Sequence, residues 1–237
     1  MSTALTLSPL PWLVLTLAAY LGAVWLFRRS GGNPFLIPVL TAVVVIVAVL
    51  MATGTSYPVY FEGVRFIYFL IGPATVALAV PLYGQLERIK QMWLPIGVAL
   101  LVGSSVAIAS ALLVALALGG SLETLMSLAP KSASMPFALP VAERMGGLPS
   151  LAAVAVAITG IAGTILARPI LRGLRIDDPA VRGFAVGLTA HAIGTAREIQ
   201  ESETAGAFAA LAMGLNGVAT VVLVPLIVQC MQWMKWL

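Results

Sequence analysis

Residues 93–118 read WLPIGVALLVGSSVAIASALLVALAL, with no ionisable side chain and nothing more polar than serine. A helix of about 20 mostly apolar residues crosses the ~30 Å hydrocarbon layer, because each residue advances about 1.5 Å. The stretch is therefore long enough to span a bilayer. Its apolar residues run on continuously, where the strands of a membrane barrel would alternate. Outward from it, comparable apolar runs occupy residues 10–27, 35–53, 64–83, 148–171, 184–196 and 206–236. The chain of 237 residues is 60% hydrophobic and 9% charged, with mean hydropathy +1.04, where soluble domains carry about 25% charged residues. Such a chain cannot cover itself in water. The expected fold class is all-α, a polytopic transmembrane helical bundle of about seven to eight membrane segments. Two of these are expected to be broken or re-entrant, and internal repeats are possible.

The same inventory excludes several chemistries. The net charge is +4, but the Lys and Arg residues are scattered singly between apolar runs and form no basic face, so no nucleic-acid partner is expected. They read as topology signals. A single cysteine, Cys230, rules out an internal disulfide or a cysteine zinc cluster, and a single histidine, His191, rules out a multi-histidine metal site. No metal and no cofactor are expected. A hydrolase would need Ser132 or Ser134 to meet His191 and an orienting acid, yet no Gly-x-Ser-x-Gly elbow occurs; the chain is not read as an enzyme. Residues 1–9 lack the positive charges of a signal peptide, so residues 1–32 are read as a retained N-terminal transmembrane helix.

Arg28-Arg29 and the pair Arg88 and Lys90 are two spans apart and share a face, which the positive-inside rule assigns to the cytoplasm. Loops 54–62 and 119–129 contain no Lys or Arg and suit the outside, where the N-terminus also starts. Arg168, Arg172, Arg175 and Arg182 join the cytoplasmic face only if residues 122–145 enter from outside and return as a re-entrant hairpin. Pro130 and Pro136 forbid a continuous helix there, and Pro140 is expected to break it again. A second observation opposes this. Gly72-Pro73-Ala74, Leu78-Ala79 and Pro81 match Gly160-Ile161-Ala162, Leu166-Ala167 and Pro169 at a separation of 88 residues (160 − 72). Inversion of such a repeat would require residues 122–145 to cross fully. The charge rule favours the hairpin. Pro73 and Pro81 are expected to kink their helix, Asp177-Asp178-Pro179 to cap one, and Trp12, Trp25, Trp93, Trp233 and Trp236 to anchor segment ends at the interface.

Two polar interruptions stand in apolar surroundings: Lys131-Ser132-Ala133-Ser134 and His191-Ala192-Ile193-Gly194-Thr195-Ala196-Arg197-Glu198. A charge near the bilayer centre costs at least ~2.5 kcal/mol, so it is normally paired or lines a polar cavity. Gly194 offers a place for the backbone to unwind. The N–H groups so freed, with His191, Thr195 and Arg197, suit a carboxylate. Lys131, Ser132 and Ser134 offer the same donor chemistry from the other broken element, and these seven residues form the candidate substrate site. Competing structural readings exist: Arg197 at the membrane surface, Lys131 snorkelling outward, His191 bonded to a nearby carbonyl. Asn216 is expected to bond across helices, with Gly206, Gly214 and Gly217 allowing close packing; Asn216, Pro73, Pro81 and Pro136 are read as structural.

Residues 70–83 (LIGPATVALAVPLY), Pro130-Lys131-Ser132, Gly146-Gly147-Leu148-Pro149, Thr159-Gly160, residues 191–197 and residues 206–217 resemble the LrgB/CidB family, in consistent order over about residues 33–225. The resemblance implies an LrgB-like transmembrane domain over residues 33–237, in a bacterial inner membrane. Members are described as antiholin-like proteins that modulate murein hydrolase activity and cell lysis, commonly with a small LrgA/CidA-type membrane partner. Some are linked to pyruvate uptake, and the plastidic glycolate/glycerate transporter is similar in its C-terminal half. Ala192 stands where members usually carry glycine, and Ser134-Met135 replaces a Thr- or Ala-rich stretch. The resulting expectation is a transporter of small monocarboxylates, of the glycolate, glycerate or pyruvate class, with the antiholin-like regulator as the alternative. Its expected partners are the carboxylate, the lipid bilayer, further copies of the chain in a homo-oligomer and an LrgA/CidA-type protein.

Overall fold

The structure, a computed structural model, describes residues 10–234 and 236; the reading of residues 1–9 lies outside them. The described residues are helical throughout, without strands. Five helices are long and apolar enough to cross a membrane, namely Leu10–Arg29, Tyr57–Gly84, Trp93–Ala117, Pro149–Gly173 and Glu203–Trp233, and Pro38–Thr53 is a shorter apolar one. The chain is a multi-pass helical membrane protein. It divides into two compact units, one ending at Ala77 and the other beginning at Leu78.

The first unit contains α1 (Leu10–Arg29), a 3-10 turn (Pro34–Leu36), α2 (Pro38–Thr53), α3 (Tyr57–Phe69) and α4 (Ile71–Ala77). Proline in the first turn starts α2 where no N–H is needed, and Gly54 ends it in the left-handed conformation with φ 63°. Helices α1 and α3 meet where Gly63 lacks a side chain, since a Cβ there would lie 2.6 Å from Trp12 Cβ. Thr16 Oγ1 and Tyr60 Oη sit 2.9 Å apart beside this contact, and the Trp12 and Tyr60 rings meet edge to face. Trp12 is therefore a packing residue, 8% exposed, and does not serve as the interfacial anchor expected of it. Trp25, Trp93, Trp233 and Trp236 are exposed. The helix breaks at Leu70, three residues before Pro73, which has no N–H to donate to Phe69 O.

The second unit contains α5 (Ala79–Gly84), α6 (Leu86–Gln91), α7 (Trp93–Ala117), α8 (Leu122–Leu128), α9 (Met135–Arg144), α10 (Pro149–Gly173), α11 (Pro179–Glu201) and α12 (Glu203–Trp233). The break at Leu78 likewise falls three residues before Pro81. Ser121 caps α8 by accepting from Thr124 N, and residues 129–134 form a turn. Pro136 lies in the first turn of α9. Pro140, expected to break the segment, lies inside that helix instead; the burial of Ala138, Val141 and Ala142 against the rest of the unit carries the helix through it. The chain then comes back on itself. Leu148 N donates to Ser127 Oγ at 2.7 Å, and a Cβ on Gly147 would lie 2.6 Å from Ser127 N. The chain leaving α9 thus meets the last turn of α8, and because Arg88 before α7 pairs with Asp178 after α10, α8 and α9 form a hairpin that adds no crossing between those two residues.

Helix α11 also folds back. Arg182 Nε is 2.9 Å from Glu198 Oε2, whereas a straight helix would hold residues that far apart in sequence about 24 Å from each other. The turn is at His191, with φ 39° and ψ −130°. The apolar run 184–196 is therefore not a span but the inside of a second helical hairpin. Its entering limb lies so close to α12 that a Cβ on Gly183 or Gly187 would run into the carbonyl oxygen of Ala205 or Ala209. Small residues let helix backbones touch in this way. Asp178 caps the limb by accepting from Ala180 N and Val181 N, and Pro179 follows at the first helical position. The Val181 N–H above all holds the Asp178 carboxyl below its ordinary range; burial opposes it, and the Ala180 N–H and the Arg88 guanidinium add to the lowering.

Helix α7 with the α8–α9 hairpin, and α10 with α11, form two successive helix-plus-hairpin pairs. Their helices start 56 residues apart (149 − 93) and their hairpins 57 apart (179 − 122). One crossing, α7, separates the two pairs, so they run in opposite senses with their hairpins entering from opposite faces. Inversion is thus reached without a crossing by residues 122–145. The helix-plus-hairpin correspondence differs from the offset of 88 that sequence similarity suggests. Arg88 Nη2 lies 2.7 Å from Asp178 Oδ2, and Arg168 pairs with Glu201, so the two basic clusters of this unit share one face. The positive-inside rule assigns that face to the cytoplasm. Cysteines introduced singly as Gln85→Cys and Gly173→Cys, with Cys230 replaced, should react in intact cells only with membrane-permeant thiol reagents. Labelling of the Gly173→Cys variant by an impermeant reagent from outside would overturn the assignment.

Candidate functional site

The two hairpin tips meet at Asn216, in the middle of α12. Its Nδ2 donates to Ser132 O at 2.8 Å and to Leu188 O at 3.2 Å, while its Oδ1 accepts from Ser104 Oγ of α7 at 2.7 Å. Ser132 lies in the turn of the first hairpin, and Leu188 stands just before the break in the second. A helix that stops leaves its last carbonyls without intrahelical donors, and one amide serves both elements. Asn216 and Ser104 are each 2% exposed. Apolar clusters seal the junction on both sides. Ile108, Leu112, Leu125, Val224 and Val228 are among the residues on one side, and Ile96, Phe184, Leu188, Phe208 and Ala212 lie on the other.

His191 is buried at the second tip, its Nε2 3.0 Å from Val156 O of α10. Gly160 makes room for the ring, because a Cβ there would lie 2.6 Å from His191 Cε1. The residue that leaves helical geometry is His191, not Gly194 as its backbone freedom suggested. Gly194 is needed for another reason: a Cβ would lie 2.6 Å from Val186 Cγ1 on the facing limb. Thr195 Oγ1 donates to His191 O at 2.7 Å and so steadies the break. A positive φ on a residue with a side chain costs about 1–3 kcal/mol, offset here by these contacts.

Lys131 and Arg197 lie on opposite sides of this junction. Lys131 Nζ donates to Ser132 Oγ at 3.3 Å and has no carboxylate partner among the described residues. It opens on a cavity of about 310 Å³ whose other walls are Leu128 and residues of the α7 face from Ser110 to Leu118. Ser134 stands at the start of α9 without a side-chain cap bond. Arg197 Nη1 donates to Thr164 O at 3.1 Å and Nε to Glu201 Oε1 at 3.3 Å. Thr164 is eight residues beyond Val156 on α10, about 12 Å nearer the basic face. Arg197 therefore belongs to a charge cluster in which Arg168 pairs with Glu201, and Arg182 with Glu198 and Glu201. Ser104, Glu198 and the hub role of Asn216 escape a sequence reading, since their partners lie far away along the chain. Gly217 packs against Phe137 as expected, but Gly214 has nothing within 4 Å.

These features define a polytopic helical membrane protein in which two interrupted elements meet at a buried polar junction. Residues 16–230 match the LrgB-like family, and the chain belongs to it. It is 41% identical over 216 residues to "Uncharacterized protein YxaC" of Bacillus subtilis, covering 91% of this chain and 94% of that one. It is 33% identical over 223 residues to "Antiholin-like protein LrgB" of Bacillus mycoides and of Bacillus cereus, covering 94% of this chain and 97% of each relative. No solved structure matches.

Asn216→Leu keeps the approximate shape but strands two carbonyls and a hydroxyl. It should cost about 1–3 kcal/mol, read as a lower thermal unfolding midpoint in nanodiscs. A midpoint equal to that of the parent would mean that the junction does not bear on stability.

Proposed function

We propose that the chain moves small monocarboxylates, of the glycolate, glycerate or pyruvate class, across the bacterial membrane by way of the hairpin junction. The supporting observation is the meeting of two interrupted segments at Asn216 with a cation on each side, Lys131 on one and Arg197 on the other. An ammonium facing an apolar groove without a counter-ion is costly, and an entering carboxylate removes that cost. Ser132 and Ser134 add hydroxyl donors beside it. Past the tips, His191 and Thr195 hold the break from which the return limb starts, and Arg197 can exchange Glu201 for the carboxylate of the substrate. Because Arg182–Glu198 ties the two limbs of α11 together, opening that pair would release the anion towards the basic face.

The names of the Bacillus mycoides and Bacillus cereus relatives support a second reading more directly than the first: an antiholin-like protein. On that reading the chain regulates murein hydrolase activity and lysis with an LrgA/CidA-type membrane partner, and the polar junction serves packing and assembly. A homo-oligomer belongs to either reading. Uptake of labelled glycolate, glycerate or pyruvate by purified protein in liposomes separates them. On the transport reading Lys131→Ala and Arg197→Ala should each weaken apparent affinity by about one to two decades, the loss of roughly 1.5–3 kcal/mol for a charge-assisted bond. Arg197→Lys should also weaken it, since lysine cannot reproduce a bidentate contact. Normally inserted alanine variants that transport like the parent would exclude this site. A parent that moves none of the three acids, yet alters lysis in cells, would favour the regulator.

A further inference from the structure

A separate cavity of about 200 Å³ opens at the basic face of the second unit, lined by Arg168, Leu171, Arg172, Ile176, Asp177 and Arg182. Arg168 and Arg172 are four residues apart on α10 and share a helix face. Arg182 approaches from the entering limb of α11. Three guanidinium groups thus line the space against one carboxylate, Asp177. Arg168 and Arg182 also reach Glu201 and Glu198 outside it, whereas Arg172 has no ion pair among the described residues. With Arg197 included, four guanidinium groups stand against three carboxylates (Asp177, Glu198 and Glu201), which leaves one positive charge unmatched.

Three arginines from two helices lining one cavity offer more donors than a planar carboxylate with two oxygens can use, and suit an oxyanion with three or more acceptor oxygens. The cavity has room for a substituent beyond the oxyanion, and Leu171 and Ile176 give it an apolar wall. It also lies on the face that carries the arginine clusters, and basic pockets between helices on the cytoplasmic side are where phosphate head groups bind. We propose that this cavity is a phosphate-binding site, filled by the head group of an anionic lipid or by a soluble phosphate. The bound oxyanion competes with Glu201 and Glu198 for Arg168 and Arg182, so its occupancy changes how firmly the return limb of α11 is held.

The full chain in nanodiscs tests this through its thermal unfolding midpoint. Inorganic phosphate is titrated against chloride at matched ionic strength in phosphatidylcholine discs, and these discs are compared with discs containing phosphatidylglycerol. A rise with phosphate in the neutral discs identifies a soluble ligand; a rise with phosphatidylglycerol alone identifies the lipid head group. In either case Arg172→Gln should weaken the response about tenfold in ligand concentration, the equivalent of one charge-assisted bond. Arg65→Gln, which removes an exposed arginine of the first unit, should leave it unchanged. An unliganded Arg172→Gln midpoint equal to that of the parent shows that the variant is folded. No stabilisation by either source, or equal responses from the two variants, would overturn the proposal.

Discussion

Inside hydrocarbon a polypeptide has no water with which to satisfy a broken helix, so an interruption persists only where the protein itself supplies the missing donors. Here most of that burden falls on one side chain. Asn216 gives one N–H to the turn of the first hairpin and one to the helix end of the second, and Ser104 orients the amide by donating to its oxygen. Without that fork, Ser132 O and Leu188 O would both lose a donor at the same depth. The apolar clusters on either side then keep the junction dry, which strengthens the bonds and raises the cost of losing any of them.

Close backbone approach is the second requirement, and it follows from the first. For α12 to reach both tips, the entering limb of α11 has to lie against it with no side chain between, which Gly183 and Gly187 permit. The return limb is then pressed against its own partner, which is why Gly194 faces Val186. His191 makes the reversal in a conformation unfavourable for any residue with a Cβ. It is held there by Val156 O, by the Thr195 hydroxyl on its own carbonyl and by the space that Gly160 leaves. The charge cluster at the open end of this hairpin completes the clasp through Arg182 and Glu198.

Much of this architecture is legible in the sequence because hydropathy, proline and charge act locally. Residues 93–118 announce a span by length and composition alone, and Pro130 and Pro136 announce the first hairpin by removing donors. The arginines at 168–182 place that hairpin's return on the correct side. In the second hairpin the interruption is legible, but the residue that breaks and the reversal itself are hidden for a physical reason. Its limbs are good helix, and the reversal falls on a histidine, with nothing in residue type to mark a positive φ. Gly194, the conspicuous glycine, is used for packing instead. Lys131 and Arg197 are both legible as intramembrane cations, but not their separation, because that depends on which turn of α10 each limb meets. The pairing of Arg182 with Glu198 becomes visible only once the helix between them is known to fold back.

The opposed hairpins make the two sides of the junction chemically comparable without making them alike. On one side a single ammonium, Lys131, faces an apolar groove with no carboxylate among the described residues to hold it. On the other, four guanidinium groups face two glutamates and an aspartate, and three of them, Arg168, Arg182 and Arg197, are already engaged with the glutamates. An anion arriving at Lys131 gains an unshared partner and relieves a desolvated charge. At Arg197 the same anion has to displace Glu201, and the displaced glutamate still has Arg168 and Arg182 within reach. On the transport reading, binding is therefore tighter where the charge is bare and more readily exchanged where it is shared. A site on a transport path has to bind well enough to be entered and weakly enough to be left, and on that reading the shared arginine cluster meets the second requirement.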